Sequence, residues 1–228
     1  MNEIRVTPVA GVGEIRPGDD VGALVVEAAG SAAFGNEDVL VVAQKVVSKA
    51  EGRIAQARVR LDAALSEARR VLRRRGDMVI AETAHGLVCA NSGVDSSNVE
   101  PGRVVLLPVD PDLSARRIRA RVAHLTGADI GVIVSDTFGR PWRRGQTNVA
   151  IGLAGFDPFI DYRGARDRFG NELVATQICV ADELAAAAEL VMGKTDGVCA
   201  AIVRGAPVRW GRGSAAAVVR PPAEDLFR

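Results

Sequence analysis

The stretch Asp129-Ile-Gly-Val-Ile-Val-Ser135-Asp136-Thr137-Phe-Gly139-Arg140-Pro-Trp-Arg143-Arg144-Gly145-Gln146-Thr147-Asn-Val149-Ala-Ile-Gly-Leu-Ala-Gly155 decides how the rest of the chain is read. It opens on a short apolar run, Ile130 to Val134, the pattern of a strand covered on both faces. Ser135-Asp136-Thr137 then sets a carboxylate between two hydroxyls at the strand end. Gly139 to Gly145 is expected to be a flexible loop carrying Arg140, Arg143 and Arg144, and a second apolar run begins near Val149. Hard oxygen ligands beside guanidinium groups suit Mg²⁺ or Mn²⁺ and the phosphates or carboxylates such an ion helps to hold. The same residues also fit a surface loop whose Asp and Thr cap the backbone and whose arginines are solvated.

Upstream, Asp38-Val-Leu-Val-Val-Ala reads as a second buried strand running straight into Gln44-Lys45-Val-Val-Ser48-Lys49. A helical turn there puts Lys45 and Lys49 on one face, which suits a polyphosphate as well as solvent. Residues 3 to 9 are expected to form an edge strand, followed by a turn at Gly11-Val12-Gly13-Glu14 and a helix over about 21 to 30. Residues 58 to 75 carry Leu61, Leu65, Ala68 and Leu72 at helical spacing, with Arg69, Arg70, Arg73, Arg74 and Arg75 opposite, so a helix with a solvated basic face is expected. Met78 to Glu82 is expected as a strand. After His85-Gly86 comes Leu87-Val-Cys-Ala-Asn91-Ser-Gly93-Val-Asp95-Ser-Ser-Asn98-Val99, a loop dense in small polar residues. Asp95 as a metal ligand and Asn98 as a nucleotide contact fit it, and Asx turns fit it equally. His85 is read as a hydrogen-bonded structural histidine in preference to a catalytic one.

Downstream of a strand (Val104 to Val109) and a helix over about 114 to 125 comes the central stretch, and after it a second polar loop from Asp161 to Glu172. A strand from Val174 to Val180 and a helix from Asp182 to Met192 follow, with Asp182 expected as N-cap and Gly193 as terminator. Gly193-Lys194-Thr195 imitates the end of a phosphate-binding loop, but the required upstream glycine is Ala188 in a helix, so it is read as a helix end. Residues 198 to 203 give a last strand before a basic, glycine-rich tail.

The totals narrow the function classes. The 228 residues are 48% hydrophobic and 25% charged, with 29 Lys+Arg against 28 Asp+Glu, which gives no reason to expect nucleic acid as a partner. Cys89, Cys179 and Cys199 sit apart in apolar contexts without metal-type spacing and are read as free buried thiols of a reducing cytosol. No signal-peptide core opens the chain and no apolar run reaches membrane length, so a cytoplasmic protein with no membrane partner is expected. With no repeat or long linker, residues 1–228 read as a single catalytic unit with room for a small subdomain.

Taken together, several motifs in order carry a resemblance: Val46-Val-Ser-Lys49-Ala-Glu-Gly-Arg53; His85-Gly86 through Val94-Asp95-Ser-Ser-Asn98-Val99; Ser135-Asp136-Thr137-Phe-Gly139-Arg140 with Gly145-Gln146-Thr147; and Arg220-Pro221 through Asp225-Leu-Phe. From about residue 4 onward the chain strongly resembles the coenzyme F420-0:L-glutamate ligase family. The resemblance implies an α+β fold with a mixed sheet particular to that family, in an intertwined homodimer. It implies a GTP-dependent ligase that adds L-glutamate to the lactyl-phosphate side chain of the deazaflavin coenzyme F420-0, then a further γ-linked glutamate. Two divalent ions, Mg²⁺ or Mn²⁺, and stimulating K⁺ are implied as cofactors.

By motif, Asp95 and Asp136 would bind the first metal and Thr137 the second. Val12, Gly13, Glu14, Ile15, Gln44, Lys49 and Asn98 would contact the nucleotide, with part of the segment from Val203 to Trp210, Arg204 and Gly205 foremost. The chain departs from the family at Arg209 and Arg212, where acidic residues are frequent, and at Gln44, where Ser or Thr is frequent. A flavin-binding reductase domain that follows this unit in an actinobacterial relative is not among these residues, so a free-standing ligase and half of a bifunctional protein both fit.

The chemistry asks for carboxylate activation by phosphoryl transfer to an acyl phosphate, then attack by glutamate's amine. Lys49 is assigned to phosphate. From residue type alone, Arg140, Arg143 or Arg144 would hold substrate carboxylates, with Arg140 and Arg144 put forward as catalytic. Another nucleotide-dependent amide ligase on the same scaffold, or a non-catalytic nucleotide-binding module, are the competing functions. The first would use a different acid acceptor, and the second would bind nucleotide without releasing phosphate.

Overall fold

The computed structural model describes residues 3–57 and 59–226. Arg58, which opens the expected basic helix, and Phe227 of the C-terminal motif lie outside them. The chain runs β1 (Arg5–Val9), α1 (Val21–Ala29), β2 (Val39–Ala43), α2 (Gln44–Ala50), β3 (Ile54–Gln56), α3 (Arg60–Ser66), β4 (Ala68–Arg75), β5 (Met78–Thr83), β6 (Val88–Ala90) and β7 (Arg103–Val105). It continues through α4 (Pro111–Thr126), β8 (Gly131–Arg140), β9 (Arg143–Ala154), β10 (Phe156–Asp157), β11 (Phe159–Asp161), β12 (Gln177–Cys179), α5 (Val180–Met192), β13 (Ala200–Arg204) and β14 (Arg209–Trp210).

Among the described residues the largest sheet has the order β1-β13-β2-β8-β9, with β2 and β8 parallel and the remaining pairs antiparallel. It is therefore the mixed sheet of an α+β protein. Strand alternation divides its side chains between two apolar layers. Leu40, Val42, Val132 and Val134 face α1 and α4, whereas Val39, Val41 and Ile133 face α5 and Ala215. Both faces being covered explains why β2 and the inner half of β8 read as continuous apolar runs. Each such Val or Ile side chain contributes about 1.5–3 kcal/mol by burial.

Helix α4 is fixed at both ends by its sequence. Asp110 accepts from the Leu113 amide (2.8 Å), Pro111 opens the first turn, and Gly127 closes the helix in the left-handed region at φ 75°. Its first turn lies so close on β9 that a Cβ at Gly152 would meet the Pro111 carbonyl oxygen at 2.3 Å, so only glycine allows this approach. A smaller apolar cluster of Leu61, Ala64, Val79, Val94, Val104 and Leu106 joins α3, β5 and β7 beside the main sheet.

Five sequence expectations are corrected. The helix over 58 to 75 ends at Ser66, and Ala68–Arg75 is instead strand β4, paired antiparallel with β5. The backbone ladder with β5 overrides the helical spacing and brings Arg69 and Arg70 beside the buried carboxylate of Glu82 (3.6 Å each). The flexible loop over 139 to 145 is a β-hairpin, since β8 and β9 stay paired out to Arg140 and Arg143. Asp182 does not cap α5: the helix begins at Val180, and the Asp182 carboxylate accepts from the Ala150 amide (2.9 Å), tying the helix to β9. The strands expected over 104–109 and 174–180 shrink to Arg103–Val105 and Gln177–Cys179.

Candidate functional site

Where β2 gives way to α2 and β8 leaves the core, the parallel pair ends side by side, Ala43 opposite Ser135. Ligands of helix-flanked sheets gather beyond the carboxyl ends of such strands. A cavity of about 660 Å³ opens there. Its lining brings together Val12, Gly13, Glu14 and Ile15 from the turn after β1, Gln44, Lys45 and Lys49 from α2, and Asp95 and Asn98 from the polar loop. Asp136 and Thr137 complete it from β8. Lys45 and Lys49 do share one face, as their spacing predicts, and both ammonium groups reach the cavity.

The electrostatics of the site follow from these neighbours. Lys45 Nζ donates to Asp95 Oδ2 (2.9 Å), to the Ser97 carbonyl (2.9 Å) and to Ser97 Oγ (2.5 Å). Asp95 also accepts from the Ser97 amide (2.7 Å), so the Asx turn is real and the carboxylate still faces the cavity. Partial burial would raise the Asp95 carboxyl, but the Lys45 ammonium and the Ser97 donors outweigh it and hold the group below the usual carboxylate range. Asp136 makes no ion pair among the described residues. Burial, with the Asp95 charge added to it, pushes its carboxyl up to about 7, against smaller opposing effects of the Thr137 amide, Lys194 and Lys45. Lys49 Nζ is held by Glu14 Oε1 at 2.5 Å. Asn98 sits in the left-handed region (φ 53°), a conformation asparagine tolerates better than most side chains.

A hard cation fits this donor set. Two carboxylates of unlike environment face one cavity, the hydroxyl of Ser135 is buried there without a hydrogen-bond partner among the described residues, and the raised Asp136 carboxyl would be stabilised in its charged form by a neighbouring positive ion. Among the described residues no three His, Cys, Asp or Glu side chains form a ligating group. The shell would thus be completed by hydroxyls, carbonyls and water, as magnesium favours.

Several residues of the site went unread in the sequence. Thr137 Oγ1 donates to Asn148 Oδ1 (2.7 Å), and Asn148 Nδ2 donates to Glu189 Oε2 (2.8 Å). Lys194 Nζ bridges Glu189 Oε1 (2.6 Å) and Thr137 Oγ1 (2.8 Å). Gly193-Lys194 is indeed a helix end and no phosphate loop, yet its lysine is delivered to the cavity. Glu189 had a signal: it is an acid in the otherwise apolar second half of α5.

Other candidates lie elsewhere. Arg140 and Arg144 are exposed near the hairpin tip, joined by a 3.4 Å contact from Arg140 to the Arg144 carbonyl, and do not line the cavity. Arg204 stands at the opposite end of the sheet, bound to Asp38 (2.6 and 2.8 Å), and Gly205 packs on the Glu3 carbonyl there. His85 is structural, with Nε2 2.9 Å from the Pro108 carbonyl. Cys89 and Cys199 touch the cavity as free thiols; burial, reinforced by the charge of Asp136, pushes Cys89 up to about 12, which disfavours the thiolate. No described helix is long and apolar enough to cross a membrane.

Carboxylates, hydroxyls and lysines converge at the ends of the parallel strands, a donor set that a metal-bound polyanion would fit, in a protein built on a mixed sheet. The chain belongs to the F420-0:gamma-glutamyl ligase family, whose sequence pattern matches residues 11–60 and 57–205. It is 42% identical over 250 residues to the coenzyme F420:L-glutamate ligase of Methanopyrus kandleri, covering 99% of this chain and 98% of that protein. The proteins of the same name from Methanothermobacter thermautotrophicus and Archaeoglobus fulgidus are each 40% identical, over 99% of this chain and 99% and 96% of their own lengths.

Proposed function

We propose that this enzyme joins L-glutamate to coenzyme F420-0 through an amide bond, using GTP and releasing GDP and phosphate, and then adds a further γ-linked glutamate. The observation that carries the reading is the convergence of Asp95 and Asp136, distant in sequence, on the cavity that also gathers Val12 to Ile15, Gln44, Lys49 and Asn98. Lys49 and Lys194 are the cations positioned for nucleotide phosphates, and Asn98 and the Val12–Ile15 turn supply the surrounding polar wall. Asp95 and Asp136 would hold one divalent ion, Thr137 with Glu189 a second; bound there, Mg²⁺ or Mn²⁺ supplies charge neutralisation across the phosphates. Fixed donors along the cavity would serve phosphoryl transfer to the acceptor carboxylate, because that step asks chiefly for position and compensated charge. The acyl phosphate so formed is attacked by glutamate's amine, with phosphate leaving. Arg140 and Arg144, on the exposed hairpin outside the cavity lining, would receive substrate carboxylates only where a substrate extends beyond that lining. A homodimer, a potassium requirement and a cytoplasmic location belong to this proposal on family grounds alone.

The test is direct. Protein incubated with GTP, Mn²⁺, L-glutamate and F420-0 should yield acceptor heavier by one glutamyl unit, and later two, with one phosphate released per bond. Phosphate release with no mass gain on F420-0, but gain on another acid, would replace the acceptor. Nucleotide binding with no turnover of any acceptor would refute the ligase.

A further inference from the structure

A second, larger depression of about 810 Å³ lies on the other side of Phe138, the side chain that borders both cavities. Its walls are mostly apolar: Val71, Ile80, Val88, Phe138, Trp142 and Val219 come from β4, β5, β6, the hairpin and the C-terminal segment. Three cations stand along it, Arg70, Arg73 and Arg220. Of its two carboxylates, Asp182 is engaged by the Ala150 amide, and Asp225 lies on the C-terminal segment. Three local features shape this surface. Strand β4 carries register shifts between Ala68 and Arg70 and between Val71 and Arg73, and bulges re-aim side chains; the consecutive residues Arg70, Val71, Leu72 and Arg73 all reach the groove, where a regular strand would alternate. Gly86, at φ 81°, lets the C-terminal segment close in, since a Cβ there would lie 3.1 Å from Val219. Trp142 fills the third position of the hairpin turn after Pro141, at φ 56°, where glycine is the unstrained choice, and is 83% exposed.

We propose that this groove is the acceptor subsite, holding a planar heteroaromatic head against Trp142 and Val71 while its anionic tail passes Arg70, Arg73 and Arg220 and crosses Phe138 into the phosphate cavity. The inference deepens the ligase reading and rests on it. An apolar slot rimmed by guanidinium groups complements a flat ring joined to a phosphodiester and a carboxylate, and a nucleotide held in the first cavity needs such an acceptor delivered from its side. The strained tryptophan is then accounted for: glycine would relax the turn but remove the ring wall.

F420-0 should quench tryptophan emission on binding, and that quench should be lost in Trp142→Phe and kept in Trp210→Phe. Trp142→Gly should keep its Tm and its KM for GTP within twofold, yet raise the Kd and KM for F420-0 at least tenfold. Val71→Asp, at a position 42% exposed, should do the same without unfolding. Arg73→Ala and Arg220→Ala should weaken F420-0 binding and flatten its salt dependence. If wild type ligates F420-0 but Trp142→Gly and Val71→Asp leave its Kd within twofold, the groove is not the acceptor subsite. If these variants instead turn a dimer into monomers and lower kcat with F420-0 affinity unchanged, a second copy fills the groove and the proposal fails. Binding that obeys these substitutions without glutamylation would uphold the groove and sink the ligase reading; neither binding nor ligation would sink both.

Discussion

The hairpin β8–β9 is two regions in one element. Its inner half, from Gly131 to Ser135 against Ala150 to Ala154, is buried among apolar side chains of both sheet faces. Its outer half, from Asp136 to Thr147, runs from a cavity wall to an exposed tip carrying Arg140, Trp142, Arg143 and Arg144. The same ladder of hydrogen bonds spans both, so rigidity made in the core is passed to residues that contribute little to stability themselves. Asp136 stands at the crossing. Burial disfavours its charge there, and a burial cost at a site is tolerated where function needs the group.

That contrast can be broken at several points. The largest effect is expected at the crossing itself: Asp136→Asn should lower kcat by roughly 10³-fold, the scale of losing a group that fixes transition-state charge. Its Tm without metal should not fall. A variant that is active, or inactive only because it is unfolded by circular dichroism, would contradict the division of labour. In the inner half, Ile133→Ala should cost about 3 kcal/mol and lower Tm by roughly 10 °C, because a fully buried side chain leaves a cavity. At temperatures well below that Tm it should keep kcat within a few-fold, and calorimetry with steady-state rates checks both.

A smaller effect concerns pH. With the Asp136 carboxyl at about 7 when folded and near 3.8 otherwise, the native chain binds the extra proton between those values. This group's contribution is therefore most favourable below about pH 4 and falls as pH rises to 7. The Tm of Asp136→Asn minus that of the wild type, measured without metal, should grow from pH 4 to 7 and then level off. Asp95 behaves oppositely: its lowered carboxyl supports the fold above the usual carboxylate value, and that support is lost as pH falls through its folded pKa. A flat difference for Asp136→Asn across pH 4 to 7 would remove the burial argument. The smallest stability effects belong to the tip, where Arg140→Lys and Arg144→Lys should stay within about 0.5 kcal/mol of wild type. Their expected change is a raised KM for glutamate or F420-0, and unchanged values of both would exclude the two arginines from substrate binding.

How much of this could be read beforehand depended on what holds each element. Strand β2, the inner half of β8 and helices α1, α4 and α5 are local statements, written as apolar runs, an Asp-Pro start and glycine stops. Strand β4 was not legible, because Leu61, Leu65, Ala68 and Leu72 keep helical spacing straight through the real break at Ser66. Only its partner β5 decides the matter. The outer hairpin was hidden likewise: Gly, Arg and Pro describe a loop until β9 is laid beside β8. Asp95, Asp136 and Thr137 announced themselves as oxygen donors in polar loops and at a strand end. Asn148, Glu189 and Lys194 did not, since α5 must pack across β9 before they meet Thr137.

The central claim is that Asp95 and Asp136 together hold a divalent ion that grips the nucleotide's phosphates. Mn²⁺ titrated into the protein with and without GTP, followed by electron paramagnetic resonance, tests it most directly in wild type, Asp95→Asn, Asp136→Asn and the double variant. Each single variant should weaken GTP-dependent Mn²⁺ binding at least tenfold, with the double variant little worse than either, as two ligands of one ion require. Tight Mn²⁺ binding with GTP in both single variants, equal to wild type, would contradict it.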